Sequence, residues 1–213
     1  QMYKDNIRNG LDIGAHIGSF SRKLLEKNIS VIAFEPMKKT FSEIKKIEKE
    51  NKGKFRCFNI ALSNKIGVTE MYFTGPTSQL SSIAVNLKKI NFLKNKKIKK
   101  QKIITETLDS FEAKNKHLFS KKIDFIKIDT EGNDLKVLKG AIKTLKKHKP
   151  KLIQIEMNYH YLFSGENLYQ FSRLLKDYDI YQILPFNNGL LKIDPTRPEN
   201  NIFHLSNFIF KKK

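Results

Sequence analysis

Several things are scarce in this chain, and each shortage removes a class of protein. There is one cysteine in 213 residues, Cys57, so no internal disulfide can form. A lone thiol inside an apolar strand is expected to be a small core residue, and a reducing, cytoplasmic setting is expected with it. No uninterrupted apolar run approaches the ~20 residues of a membrane span. The opening Gln1-Met2-Tyr3 lacks the basic-then-apolar pattern of a secretory leader, and a start at Gln fits a piece of something longer or a tag remnant. Arginine is scarce too. Forty-one basic residues face 21 acids for a formal charge of +20, yet only Arg8, Arg22, Arg56, Arg173 and Arg197 are arginines. Nucleic-acid surfaces favour arginine forks with interleaved aromatics, so nucleic acid is not the expected partner. The lysines, spread over nearly every segment, read as a solvated surface with a salt-sensitive pull on anions. No His/Cys spacing suits zinc. With no internal repeat and no convincing second unit, residues 1–213 are expected to form one domain.

What is present centres on Leu11-Asp12-Ile13-Gly14-Ala15-His16-Ile17-Gly18-Ser19-Phe20. An apolar strand end turns through two glycines into a helix predicted from Ser19 to about Lys27. The glycines let the backbone turn sharply and let a ligand approach main-chain N–H groups. A dinucleotide fingerprint wants Gly-x-Gly-x-x-Gly, but here Asp12 takes the first glycine's place. A carboxylate there repels a pyrophosphate and suits a cofactor with positive charge, such as S-adenosylmethionine with its ammonium and sulfonium groups. Val31-Ile32-Ala33-Phe34 then ends in Glu35-Pro36, an acid at about the distance where nucleotide folds place a ribose-binding carboxylate. The plain alternative for the glycines is an ordinary strand-to-helix turn.

Along the chain, strand and helix patterns alternate. A first strand is expected within 4–13, a helix over 40–51 with Phe41, Ile44 and Ile47 inward, and strands at 55–60, 68–73 and 102–106. Residues 74–78 read as a loop. The cationic run 88–102 reads as a mobile, solvated insertion, or else as a seat for an anionic acceptor. A helix opens at 107–111, the most apolar strand runs over 123–128, and one long helix is predicted from Leu135 to about Lys147. A strand at 152–155, a helix over 166–176 and strands at 180–184 and 208–210 complete the pattern, with a turn at 187–189. This alternation is the signature of a parallel sheet with crossover helices. Ligands of such sheets bind at the strands' carboxyl ends, which gathers Asp12, Glu35, Asn59, Asp129, Glu131 and Glu156 on one rim. Five carboxylates there repel one another unless a cation or hydrogen-bond donors intervene. Asp109 and Asp134 read instead as helix caps.

Asp12-Ile13-Gly14-Ala15-His16-Ile17-Gly18, Phe34-Glu35-Pro36, Asn59-Ile60-Ala61-Leu62-Ser63, Thr107-Leu108-Asp109 and the block from Ile126 through Asp129-Thr130-Glu131-Gly132-Asn133-Asp134 to Ala141 together resemble the FkbM family of S-adenosylmethionine-dependent methyltransferases. His16 stands where that family commonly has Asn. The resemblance implies a Rossmann-like class I fold, α/β with a mostly parallel seven-stranded sheet and helices on both faces. It implies O-methylation, often of a sugar or polyketide hydroxyl, and such domains also occur fused to glycosyltransferases. Carried over by position, Asp12, Gly14, Ala15, His16 and Gly18, with Ser19 beside them, would hold the methionine moiety. Glu35, followed by Pro36, would take the ribose hydroxyls, Asn59, Ile60 and Ala61 the adenine, and Asp129 would also face the cofactor.

A sulfonium methyl is already activated, so the protein's task is to place an acceptor oxygen in line at ~3 Å in a dry site and to take its proton. The candidates for that base are Asp129, then Glu131 and Glu156, then His160. Oxygen ligands of this kind would also accept a divalent ion, though no metal site is assigned. The leading expectation is a carbohydrate O-methyltransferase. The alternatives are an RNA methyltransferase using 88–102 as a phosphate strip and a cofactor-binding scaffold without activity.

Overall fold

A computed structural model describes residues 6–75, 81–83, 86–93, 95–185, 189–201 and 203–213. Parts of four expectations therefore lie outside the described residues: the start of the first strand, most of the loop at 74–78, Lys94 of the cationic run, and Asn187-Asn188 of the late turn.

The first half alternates as the pattern requires: β1 (Asn9–Ile13), α1 (Ser19–Glu26), β2 (Ser30–Phe34), α2 (Lys38–Glu50) and β3 (Phe55–Phe58). There follow β4 (Ala61–Leu62), β5 (Gly67–Phe73), β6 (Ser81–Ser82) and β7 (Lys99–Glu106). The second half runs α3 (Leu108–Lys114), β8 (Phe125–Ile128), α4 (Asp134–Lys139), α5 (Ile142–His148), β9 (Leu152–Met157), α6 (His160–Ser164), α7 (Leu168–Leu174), β10 (Tyr178–Ile183), β11 (Leu190–Lys192) and β12 (Ser206–Lys212).

The large sheet has the order β11-β10-β12-β9-β8-β1-β2-β3. Neighbours from β3 through β9 pair in parallel, β12 runs antiparallel to both β9 and β10, and β11 is antiparallel to β10. The expected seven strands are thus joined by an eighth, because the chain turns back after β10 and pairs Ile183 with Leu190. A separate four-stranded sheet, β4-β7-β5-β6, was not foreseen. β5 and β7 pair antiparallel from Gly67↔Thr105 to Phe73↔Lys99.

Alternation along each strand sorts side chains to two faces. Leu11, Ile13, Ile32, Phe34, Ile126, Ile128, Ile153 and Ile155 join one core with α3, α4 and α7. Val31, Ala33, Phe55, Cys57 and Phe125 join the other with Leu24 of α1 and Ile44 and Ile47 of α2. Cys57 is buried, as expected of a lone core thiol.

Two elements depart from the pattern. The helix predicted over 135–147 is broken into α4 and α5. A Cβ at Gly140 would stand 2.1 Å from the Ser63 carbonyl oxygen, so the backbone there passes against the β4 end. The Asp109 carboxylate restarts the helix by accepting from the N–H groups of Lys143 (3.0 Å) and Thr144 (2.8 Å). The cationic insertion is anchored where it is described. Two 3₁₀ turns, Leu87–Lys89 and Asn91–Leu93, bury Leu87, Ile90 and Leu93 against Tyr72, Ile98 and Tyr159. Apolar residues at steps of three suit a 3₁₀ face, which a charge-based reading of the run overlooks.

Candidate cofactor and active site

A cavity of about 580 Å³ opens at the carboxyl ends of the large sheet, within the range of small-molecule sites. Its walls include Gly14, His16, Glu35, Pro36, Ile60, Ala61, Asp129, Glu131, Glu156 and His160. Ten of the residues named from sequence therefore meet in one place. Asp12, Ala15, Gly18, Ser19 and Asn59 do not line it.

The glycine loop is built by backbone contacts. Gly14 has φ +81°, and a Cβ on it would lie 1.8 Å from the Asp129 carbonyl oxygen, so only glycine lets the β1 and β8 ends come this close. The N–H groups of Gly14 and Ala15 both donate to the Phe34 carbonyl at 3.0 Å, which folds the loop onto the β2 end. Gly18, at φ +83°, starts α1 where a Cβ would strike Ile47 at 2.4 Å, a packing reason for the second glycine. Ser19 is exposed at the first turn of α1. Asn59 donates through Nδ2 to the carbonyls of Glu35 (2.8 Å) and Pro36 (3.0 Å).

Glu35 is buried at the cavity wall. It accepts from the N–H groups of Met37 (2.8 Å) and His16 (2.9 Å) and from Thr40 Oγ1 (2.8 Å). Burial nonetheless pushes its carboxyl above the ordinary range. Three accepted bonds leave part of a carboxylate's capacity for donors in the cavity.

Asp12 lies beneath the loop, fully buried, with Ser21 Oγ donating to Oδ2 at 2.6 Å. Its Oδ1 has no hydrogen-bond partner, and the nearest cation, Lys127 Nζ, is 3.9 Å away. Burial raises the Asp12 carboxyl, with Lys127 opposing. The register explains the meeting, since Asp12 and Lys127 are cross-strand neighbours of β1 and β8. Lys127 donates to Asp129 Oδ2 at 2.9 Å. Burial works against its charge, but Asp129 and Asp12 outweigh it and the ammonium is held above the usual lysine range. The rim's expected repulsion is thus relieved by a lysine of the chain itself. Among the described residues no group of three or more His, Cys, Asp or Glu is arranged to hold a metal ion.

Glu156 is half-buried on β9. Burial first, then Asp129 and Glu131, push its carboxyl up to about 7, against Lys127 and Asn207. Glu131 sits at φ +54°, a strained setting for a residue with a side chain. Its Oε2 accepts from Asn158 Nδ2 at 2.7 Å and lies 2.8 Å from His160 Nδ1. His160 Nδ1 is also 2.9 Å from Asn158 Oδ1. Both neighbours of Nδ1 are acceptors, which assigns the ring hydrogen to Nδ1. Nε2 is then left buried without a hydrogen-bond partner. Asp134 is not part of the wall; Thr130 donates to it from N–H (2.9 Å) and Oγ1 (3.0 Å), and Tyr161 donates to its other oxygen.

Sequence reasoning missed Met37, Thr40, Met71, Ser81, Ile83, Asn133, Asn158, Tyr159 and the stretch Phe203-His204-Leu205 as walls. Asn158 and Tyr159 follow the β9 end directly, the same signal that marked Glu156. Residues 203–205 carried no signal, because they reach the site only through the pairing of Ser206 with Met157.

The model of the methyltransferase FkbM domain matches residues 12–182. No curated protein sequence matches the chain. Among solved structures, a methyltransferase FkbM from Methylobacillus flagellatus KT is 17% identical with a TM-score of 0.55, over 96% of this chain and 44% of that one. The chain thus spans less than half the length of that structure. TehB from Haemophilus influenzae is 12% identical with a TM-score of 0.47, over 100% of this chain and 60% of that one. A TehB-like S-adenosylmethionine-dependent methyltransferase from Corynebacterium glutamicum is 11% identical with a TM-score of 0.45, over 97% and 80%. With the glycine loop, the acid closing β2 and the Asp129–Asp134 turn inside the matched region, the chain belongs to the FkbM family of S-adenosylmethionine-dependent methyltransferases.

Proposed function

We propose that the chain is an O-methyltransferase acting on a sugar hydroxyl of a glycan or glycoconjugate. The observation that carries this reading is a single cavity with the buried carboxylate of Glu35 in its wall together with Glu156, a carboxyl that loses its proton near neutrality.

The residues present fit the family's cofactor. Glu35 has acceptor capacity left for hydroxyl groups, Ile60 and Ala61 supply an apolar wall, and His16 and Gly14 bring the loop to the cavity's edge. Asp129, held by Lys127, keeps a negative oxygen near the place where positive charge would sit. When bound, S-adenosylmethionine supplies a methyl group already activated for transfer. The chain's own task is then to orient the acceptor, exclude water and take a proton. Glu156 is assigned as the group that takes it, because its carboxyl at about 7 is matched to neutral operation. Asp129 is committed to Lys127 and Glu131 to Asn158 and His160. Glu131, Asn158 and His160 form a hydrogen-bonded wall that positions the acceptor. A sugar suits the remaining walls, where Tyr159 and Phe203 offer ring faces and Asn158 and His204 offer polar groups.

Two measurements test this. S-adenosylhomocysteine is expected to bind with micromolar affinity by calorimetry, and Glu35→Ala to weaken it at least ten-fold; unchanged affinity would remove Glu35 from the site. Tritiated methyl transfer to a panel of glycans, RNAs and small hydroxyl compounds is expected to label glycans. Labelling of RNA alone would replace the glycan reading, and cofactor binding without any transfer would leave a scaffold.

A further inference from the structure

Beyond that reading, and independent of it, the surface around the cavity has a second character. Six large apolar side chains stand exposed at one end of the large sheet: Ile17, Leu162, Phe163, Leu190, Phe203 and Leu205. Their positions follow from topology. Ile17 lies in the loop after β1, and Leu162 and Phe163 lie on α6, just past the end of β9. Leu190 pairs with Ile183 where β10 turns into β11. Phe203 and Leu205 precede Ser206, which pairs with Met157 at the end of β9. All six therefore sit at the carboxyl ends of the parallel strands, the end where the cavity opens. Leu205 is 60%, Leu162 59% and Phe163 45% exposed. Single exposed apolar residues are ordinary, whereas a gathering on one face marks an interaction surface.

A lysine-rich stretch reaches the same end. Residues 61–106 hold nine lysines and two acids, Glu70 and Glu106. Both acids are ion-paired, with Lys100 at 2.7 Å and Lys114 at 2.8 Å. The lysine-rich stretch is fixed to the cavity wall by the packing of Leu87, Ile90 and Leu93 with Tyr159. Earlier in the chain than Phe203, the acids Asp194 and Glu199 both lean on Arg197, at 3.9 and 3.7 Å. Apolar side chains beside a lysine-rich stretch complement an anionic lipid bilayer: acyl chains accept the former and phosphate headgroups the latter. Among the described residues no helix is long and apolar enough to cross a membrane, so the contact is peripheral.

We infer that the cavity end of the molecule docks on anionic membrane surfaces, with Leu162, Phe163 and Leu205 entering the interface and Lys88, Lys96, Lys97 and Lys99 over the headgroups. The cavity mouth then faces the bilayer.

Flotation with vesicles tests this directly. The chain is expected to float with phosphatidylcholine vesicles containing 30 mol% phosphatidylglycerol, to stay in solution with pure phosphatidylcholine, and to be released by about 0.5 M salt. The double variant Leu162→Asp/Phe163→Asp is expected to lose about ten-fold or more in partitioning. The triple variant Lys96→Glu/Lys97→Glu/Lys99→Glu is expected to lose at least as much. S-adenosylhomocysteine affinity is expected to stay at the parent value in the Leu162/Phe163 variant, which shows that its fold and cofactor site are intact. Failure to float, equal flotation with neutral lipid, or unchanged flotation of the Leu162/Phe163 variant would each overturn the inference. So would RNA displacing the vesicles while that variant binds RNA and vesicles like the parent, since the lysines alone would then account for the binding. None of these results touches the methyl-transfer reading, which is judged by cofactor binding and labelling.

Discussion

At the scale of single residues, the site depends on atoms that leave no room for alternatives. Gly14 is the clearest case, with a positive φ and a backbone oxygen 1.8 Å from where a Cβ would be. Gly14→Ala is expected to cost about 3 kcal/mol or more and to weaken S-adenosylhomocysteine binding, read by thermal unfolding and calorimetry on the same sample. Glu156 makes a different kind of demand. With its carboxyl at about 7, the fraction able to accept a proton grows as pH rises. We expect kcat/KM to climb through pH 6–8 and then level, and Glu156→Gln to lower it ~10²–10⁴-fold and remove that limb. A parent profile flat across this range would assign the proton to another group. Residues such as Gly14 and Glu35 were legible from sequence because their signal is local: a glycine or an acid immediately after an apolar strand. The wall at Phe203–Leu205 was not, because nothing in its immediate neighbours marks it.

At the scale of elements, period and burial agree for most of the chain, and the departures have identifiable causes. The broken helix shows how a distant side chain overrides a pattern. Leu135, Leu138, Ile142 and Leu145 keep helical spacing across the break, so periodicity alone predicts one helix. Asp109 reads from sequence as a cap and is one, but for α5 rather than for its own helix, through three bonds to Lys143 and Thr144. Asp109→Ala is expected to destabilise by about 1–2 kcal/mol, a fall in Tm of roughly 2–8 °C for a chain of this size. Asp109→Asn, which keeps an acceptor, is expected to recover part of it. A Tm unchanged in the alanine variant would mean that α5 is held by packing alone.

At the scale of the whole molecule, buried carboxyls make stability depend on pH. Burial raises Glu166 to about 7 and Asp134 to about 6, as it does Glu156. For a carboxyl raised in the folded state, the stabilising contribution is complete below the unfolded pKa and is lost as pH rises through the folded one. These groups therefore favour the native state most below their unfolded values of 3.8 to 4.5 and least above about pH 7. Opposing them are Glu106 and Glu112, where burial is outweighed by Lys114 and Lys147 and the carboxyls are lowered; their contribution is lost on acidification below that range. Glu166→Gln is expected to lose less stability than the parent between pH 5 and 8. Parallel Tm curves for the two would show that Glu166 does not titrate in this window. By itself, the order of residues determined the alternation of strands and helices, the two-glycine loop and the acid at the end of β2, because each follows from spacing within a few residues. Tertiary structure alone decided the eighth strand, the second sheet, the pairing of Asp12 with Lys127 and the arrival of residues 203–205 at the cavity. Those depend on which strands lie side by side, and that is settled by packing between segments far apart in the chain, about which local periodicity carries no information.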